Sequence, residues 1–298
     1  VREHHFLRPL RLMASRARRA GVTLIERVIA MAMASIVLGA VYQVLVNNQR
    51  FYRAQGQIVE VQQNVRAVSQ ILPAELRELD AADGDIIEMS DTSITIKAMR
   101  SFATICATPD AATGQIVLRN SLTFQYRAVD PTRDSVLVFS DSNVQSTSDD
   151  RWLHAPAAAV ATGVTCTDLT AGTRLTLTGM IGGIAQLANV TNGSPVRTFE
   201  VVNYRLYDDG AGIWWLGVRT YSSGAWSSTS PVAGPLRPSD GIAFSYFDAA
   251  GAVTAVRANV AQIQTIVRGR SEQNIQVQGR PTGRYQDSLT VRVALRNN

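Results

Sequence analysis

The stretch "RRAGVTLIERVIAMAMASIVLGAVYQVLVNNQ", residues 18–49, joins a basic flank to an uncharged run of 19 residues, 28–46. A helix of that length rises about 28 Å, close to the ~30 Å hydrocarbon core of a bilayer, so we expect it to span a membrane. The arginines precede the run, which predicts that residues 1–21 stay in the cytoplasm and that the rest is exported. A cleaved secretory signal is the alternative, but its apolar core is usually shorter and no A-x-A-like site follows Val46.

The charge of the chain is concentrated in residues 1–21, which we call the leader. The 298 residues have a net charge of +5, and the leader, with six arginines and one acid, carries all of it. The other 277 residues hold 23 basic and 23 acidic side chains, a net charge of zero. The body therefore has no overall charge that would attract nucleic acid, and we expect no such partner.

The helical pattern continues beyond the apolar run. Apolar residues recur at steps of three and four, at Phe51, Ala54, Ile58, Val61, Val65, Val68, Leu72, Leu76 and Leu79. One helix from residue 22 to about residue 80 would be roughly 85 Å long. Pro73 lacks an N–H, but the stripe keeps its phase across it, so we expect a bend and not a break. The stripe must be buried, most simply against the body that follows.

After residue 80 the pattern changes to period two with many β-branched residues, which predicts strands. The best hairpins are residues 201–221, with a turn at Asp209-Gly210, and residues 241–256, with a turn at "DAAG". Residues 260–269 and 287–297 should pair with each other. Further strands are predicted at 93–99, 122–127, 135–140 and 174–179, and surface loops at 141–150, 189–195 and 227–240. The expected fold class is α+β, with the long helix packed on an antiparallel sheet.

Residues that could carry catalysis or bind a metal are sparse. His154 is the only histidine outside the leader, and with two distant cysteines it does not have the spacing of a zinc site. No G-x-S-x-G, P-loop or dinucleotide-binding pattern occurs. Acidic pairs such as Asp208-Asp209 suit turns as well as calcium, and the tryptophans at 214, 215 and 226 suit a core as well as a stacking surface. We expect no cofactor, no metal and no enzymatic activity.

The two cysteines, Cys106 and Cys166, lie in the part predicted to be exported, where disulfides form. A bridge would close a loop of about 60 residues and stabilise the fold by roughly 4 kcal/mol on the chain-entropy model. The alternative is two separate buried thiols that act as small apolar side chains.

The junction between leader and helix resembles a known processing signal. A basic leader that ends in glycine precedes a short apolar start, a threonine, two aliphatic residues, a glutamate and a long apolar helix, here "RRAG|VTLIE". This is similar to the type III signal of type IV prepilins and type II secretion pseudopilins. The resemblance is specific over residues 16–50. The β-rich body, the segment "FSYFDAAGAV" and the closing "VRVALRN" resemble W-type minor pilins and J-type pseudopilins.

The resemblance implies roles for four residues at this junction. A prepilin peptidase would cut between Gly21 and Val22, and Val22 would be N-methylated. Glu26, with Thr23, would act in filament assembly, where the carboxylate meets the N-terminal amine of a neighbouring subunit. A lone carboxylate at full membrane depth costs about 2.5–3.5 kcal/mol, which is consistent with such a partner. A surface glutamate that snorkels to water is the alternative.

Two residues depart from the family pattern. Val22 stands where phenylalanine or methionine is usual, a position at which the peptidase is generally tolerant. Arg27 stands where an aliphatic residue is usual. Adjacent helical residues diverge by about 100°, so Arg27 cannot simply neutralise Glu26. Arg27 favours a rare subunit at a special position over a bulk subunit.

The sequence predicts a leader at 1–21, an N-terminal helix at 22–80 with its membrane span at 28–46, and a β-rich periplasmic or extracellular domain at 81–298. By the resemblance, the chain is expected to be a minor prepilin that assembles into or primes a type IV pilus. Its partners would be major and minor pilin subunits, prepilin peptidase and the inner-membrane assembly platform. It would span the bacterial inner membrane before assembly. Two alternatives are a type II secretion pseudopilin, and a DNA-uptake or adhesive module on the same scaffold.

Overall fold

The computed structural model describes residues 21, 23–141, 148–276 and 281–296. Contacts divide the chain into two compact units, Val1–Tyr52 and Arg53–Asn298. Within the described residues, one α-helix is followed by a large antiparallel sheet. The α+β class is thereby confirmed.

The helix α1 covers Leu24–Arg77, 54 residues, and continues through Pro73 without ending there. At 1.5 Å per residue it is about 81 Å long. In the first unit almost every side chain of α1 is exposed, the apolar ones included. This part has the length and composition of a membrane-spanning helix.

In the second unit, α1 buries one face. The predicted stripe is confirmed over most of its length, since its buried members are Ala54, Val61, Val65, Val68, Leu72, Leu76 and Leu79. Ile58 is half-buried and Phe51 is exposed. The stripe shares a core with side chains of the sheet such as Ile96, Val202 and Ile263. Only the second half of α1 therefore has a buried face, because this half packs on the sheet.

The strands begin at residue 86 and are bounded as follows: β1 Ile86–Met89, β2 Ser93–Thr104, β3 Gln115–Arg119, β4 Phe124–Gln125, β5 Ser135–Ser140, β6 Arg151–Thr165, β7 Ala171–Leu177, β8 Pro195–Asp208, β9 Trp214–Ser222, β10 Ala225–Trp226, β11 Ser230–Leu236, β12 Ile242–Phe247, β13 Gln262–Ile275 and β14 Gly283–Ala294. Short 3-10 helices cover Asn120–Leu122, Ile184–Asn189 and Arg257–Asn259.

The sheet runs in the order β12-β13-β11-β9-β8-β5-β6-β7-β3. β14 pairs with β13, β10 with β9, and β2 with β8, while β1 and β4 both pair with β2. The core under α1 draws on strands such as β2, β8, β12 and β13. A second core, formed mainly by β3, β5, β6 and β7, includes Ile116, Val138, Leu153 and Leu175.

Several predicted strands are confirmed. β8 and β9 form the hairpin expected at 201–221, and Asp209 closes its turn by accepting hydrogen bonds from the N–H groups of Ala211 and Ile213. β13 pairs with β14 as expected, and β5 covers the predicted residues 135–140. Strong alternation was a sufficient signal in these cases, and in the β8–β9 hairpin a clear turn residue added to it.

Other predictions are wrong or hold only in part. The hairpin at 241–256 is reduced to its predicted turn: the Gly251 N–H donates to the Asp248 carbonyl, and the returning chain makes a single bridge, Val253 to Phe247. The long partner of β12 is β13, over six residues. The expected strand at 122–127 shrinks to Phe124–Gln125. The expected loop at 227–240 contains β11, which pairs with β9 and β13 despite its prolines. β6 was missed, since its alanine-rich sequence does not show the β-branched pattern.

Candidate functional site

The N-terminus of α1 is closed by Thr23 and Glu26. The backbone N–H of Thr23 donates to Glu26 Oε2 over 3.0 Å, and the N–H of Glu26 donates to Thr23 Oγ1 over 3.3 Å. The Thr23 hydroxyl also lies 3.2 Å from Glu26 Oε2. With the helix starting at Leu24, Thr23 is the N-cap and Glu26 the third helical residue, so the two form a capping box.

The capping box leaves part of the Glu26 carboxylate free. Both hydrogen bonds that the carboxylate accepts use Oε2, and Oε1 accepts none from any described residue. Glu26 forms no ion pair with Arg27 or with any other residue that the structure describes. The carboxylate is exposed at the positive end of the helix dipole. It can therefore still accept from a cationic group of a partner.

The predicted cleavage site lies just before this cap. Gly21 is exposed. Val22, the residue predicted to become N-terminal and N-methylated, lies outside the described residues, as does the leader before Gly21. The structure therefore places Thr23 and Glu26 together and leaves the cleavage and methylation of the Gly21–Val22 bond as predictions.

Cys106 and Cys166 are joined in a disulfide, with a sulfur–sulfur distance of 1.97 Å. Cys106 follows β2, and Cys166 begins the turn between β6 and β7. Both residues are buried. The bridge links the two turns that carry them, and the Thr167 N–H adds a hydrogen bond to the carbonyl of Cys106 over 3.1 Å.

A buried ion-pair network connects α1 to the sheet. Glu200 of β8 is only 6% exposed and accepts from Arg100 over 2.5 Å and from Arg127 over 3.1 Å. Arg100 also pairs with Glu75 of α1 at 3.0 Å, and Arg127 with Asp134 at 2.6 Å. Burial disfavours the charge of Arg100, but Glu75 and Glu200 outweigh it and raise the pKa of Arg100. The network fixes the position of the helix on the sheet.

Beside this network lies a groove of about 680 Å³, which we call the aromatic groove. Its apolar lining includes Phe102, Phe124 and Tyr126, of which Phe124 is 71% and Tyr126 is 85% exposed. The cation Arg197 also lines the groove and stacks on Trp152, with its guanidinium 4.8 Å from the ring centre. A contiguous exposed aromatic surface of this kind is typical of an interaction site.

Sequence reasoning missed both the network and the aromatic groove. Their residues come from β2, β4, β8, the loop after β4 and the end of α1, which are far apart in the chain. The one available signal was the alternation in 122–127, which predicts a strand but not an exposed aromatic surface. In the structure Leu122, Phe124 and Tyr126 are all exposed.

The histidine and the tryptophans considered in the sequence make packing contacts or hydrogen bonds within the fold. His154, on β6, is half-buried and lies against Phe199, with ring centres 5.3 Å apart. Trp214 packs on the core under α1, and Trp215 donates from Nε1 to Asp209 over 3.2 Å. Trp226 holds the Arg219 guanidinium 4.5 Å from its ring centre. Across the part of the chain that the structure describes, no group of three or more His, Cys, Asp or Glu is arranged to hold a metal ion.

Comparison with known proteins gave no match, whether with family models, with curated proteins or with solved structures.

Proposed function

We propose that this chain is a minor prepilin, a non-enzymatic subunit that is cut after Gly21 and then assembles into, or primes, a type IV pilus. The observation that carries the proposal is the segment "RRAG|VTLIE" directly before an exposed apolar helix. A helix that is apolar on all sides needs a lipid bilayer or a bundle of like helices as its surroundings. A subunit that is stored in the membrane and later joins a filament would have the bilayer first and the bundle of like helices afterwards.

The two units suit a division of labour. The first half of α1 would supply the polymerisation contacts, with Glu26 oriented by its cap toward the amine of a neighbour. The β domain would supply the contacts specific to this subunit. Before assembly the chain would lie in the bacterial inner membrane with the leader inside, and its partners would be prepilin peptidase, the assembly platform and other pilins.

Intact-mass analysis of the full chain tests this proposal. The chain is expressed in bacterial membranes with and without a prepilin peptidase, and the expected product lacks residues 1–21 and carries the mass of one added methyl group. Gly21→Leu should remain uncut. Gly39→Ala changes a glycine of the same helix that has open space around it, and it should be cut normally. An uncut wild-type chain beside a processed control prepilin would overturn the proposal.

A type II secretion pseudopilin is the nearest alternative, since it uses the same processing and assembly chemistry. The two differ in their genetic neighbours: pilus motor and retraction genes in one case, a secretin with secretion-specific partners in the other. The intact-mass result would be the same for both.

A second candidate function is an adhesive or DNA-uptake module on this scaffold, which the aromatic groove favours. Exposed aromatic rings beside arginine can stack on bases or pack on a protein partner. Phe124→Ala with Tyr126→Ala should then abolish attachment or DNA uptake and leave filament incorporation intact. Ile181→Ala with Val253→Ala, at two other exposed apolar positions, is the matched control.

A further inference from the structure

The strand pair β13·β14 contains a bulge that no part of the proposed function uses. The two strands are in register from Gln262 to Arg270 and again at Asn274. Between these points three residues of β13, 271–273, lie opposite the single residue Tyr285. Such bulges redirect side chains and are frequent beside functional sites.

The bulge is held in a defined conformation. Ser271 is 1% exposed, and its hydroxyl donates to the carbonyl of Gln273 over 2.8 Å. The same hydroxyl accepts from the N–H of Tyr285 over 2.9 Å. Both bonds close within the bulge, so the backbone around it is fixed without help from a ligand.

A cavity of about 310 Å³, which we call the bulge cavity, lies beside these residues. Trp214 and Leu236 form apolar walls, at the point where Leu236 pairs with both Trp214 of β9 and Gly269 of β13. The charged residues that line it are Arg270, Glu272 and Arg284.

The two guanidinium groups of the bulge cavity have no carboxylate partner among the described residues. Arg270 is half-buried, and its guanidinium makes neither a hydrogen bond nor an ion pair with any described residue. The Arg284 guanidinium donates only to the Ser271 carbonyl, at 3.4 Å. Glu272 is exposed and forms no ion pair with either arginine. Nearby Arg237, in contrast, pairs with Asp240 at 3.1 Å. Burial, followed by the charges of Arg284 and Arg237, lowers the pKa of Arg270.

We propose that the bulge cavity binds a small oxyanion between Arg270 and Arg284. A planar guanidinium presents paired N–H donors that match the oxygens of phosphate or carboxylate. A partly desolvated cation without a counter-charge is unfavourable, and an anion in the cavity removes that cost. The apolar walls lower the effective dielectric beside Arg270 and so strengthen the attraction there. Inorganic phosphate is the simplest probe.

The test is a titration of the full chain, in neutral detergent micelles, with sodium phosphate against sodium chloride at equal ionic strength. NMR signals of the arginine Nε–H groups report on the site directly. Two of them should shift saturably with phosphate and stay in place with chloride, and Arg270→Gln and Arg284→Gln should each remove one. In each variant the remaining signal should report a dissociation constant about 10- to 100-fold higher.

Arg205→Gln is the matched control, since Arg205 is also half-buried, lies on β8 and does not line the bulge cavity. It should bind phosphate like the wild type. Arg284 is exposed, so Arg284→Gln tests the site even if Arg270→Gln disturbs folding. Equal responses to phosphate and chloride, or variants that bind as Arg205→Gln does, would overturn the proposal.

Three sources share this chemistry, and further titrations separate them. Inorganic phosphate stands for a free phosphate, acetate for a carboxylate of a partner chain, and dimethyl phosphate for the diester of a lipid headgroup. The source is identified by the anion that binds most tightly to the wild type. Its affinity should no longer exceed that of the other two anions in Arg284→Gln. None of these results depends on cleavage at Gly21, so this test and the prepilin test can fail separately.

Discussion

At the residue scale, the proposed function gives Glu26 a second role beside the one that the structure shows. It caps α1 together with Thr23, and by the proposed function it recruits the amine of a neighbouring subunit through its charge. Capping needs only a hydrogen-bond acceptor at the third helical position, whereas recruitment needs a carboxylate. The two roles can therefore be separated by substitution.

We expect Glu26→Gln to keep the cap and lose filament incorporation, because glutamine accepts the same hydrogen bonds without charge. Thr23→Ala should have the opposite effect, removing the cap and keeping the carboxylate. The measurement is the amount of each variant in sheared filaments relative to the amount in the membrane. If Glu26→Gln is incorporated normally and Thr23→Ala is not, the cap is the role that matters.

His154 should make stability depend on pH. Burial, and then the charge of Lys97, lowers its pKa below the ordinary value of 6.5. Below pH 6.5 the unfolded chain therefore binds more protons at this residue than the folded chain does. The stability that neutral His154 contributes is complete above pH 6.5 and is lost as the pH falls toward the lowered pKa.

The check is chemical unfolding of the wild type and His154→Gln at neutral pH and at about pH 5. The wild type should lose more stability between the two pH values than the variant, which has no proton to bind at this position. Carboxylates titrate in both proteins, so the difference isolates His154. Equal losses of stability in the two proteins would show that His154 does not contribute to the pH dependence.

At the element scale, α1 and the sheet approach each other closely at Gly269 of β13. A Cβ atom at this position would lie 2.7 Å from methyl groups of both Val61 and Val65. Only glycine lets the helix and β13 come this close. The ion pair between Glu75 and Arg100 holds the same two layers together further along the helix.

Gly269→Ala should therefore lower the free energy of unfolding by about 1–3 kcal/mol, the usual cost of overpacking. Gly283→Ala is the control: it changes β14, where a Cβ would meet nothing nearer than 3.9 Å. Its effect should stay within about 0.5 kcal/mol. Urea unfolding of the full chain in detergent measures both, and equal effects would contradict a close approach at Gly269.

At the scale of the whole molecule, the chain combines an exposed apolar helix with a body of zero net charge. The first unit holds a helix that is long and apolar enough to cross a membrane, and the second has its own two cores and a disulfide. These properties predict a protein that is held at a membrane through the first half of α1.

Ile36→Asp with Leu38→Asp should remove that attachment, since each charge at the centre of a membrane helix costs about 2.5–3.5 kcal/mol. Carbonate extraction of membranes is the measurement, and the double variant should move from the pellet to the supernatant. Ile36→Leu with Leu38→Ile keeps the apolar character and should stay in the pellet. Retention of the double aspartate variant would mean that another part of the chain binds the membrane.

The sequence by itself determined the features that depend on neighbours along the chain. The helical period, the stripe from Ala54 to Leu79, the α+β class and the hairpin at Asp209 follow from local spacing and turn chemistry. The proposed cleavage and assembly residues also come from one contiguous segment. Only the tertiary structure decided which strands pair with partners far away, as β2 does with β8. Strands pair through backbone hydrogen bonds, which almost any side chain permits, so β6 and β11 form without a strong alternation of apolar and polar residues. The Glu200 network, the aromatic groove and the bulge cavity exist only once those pairings bring distant charges and rings together.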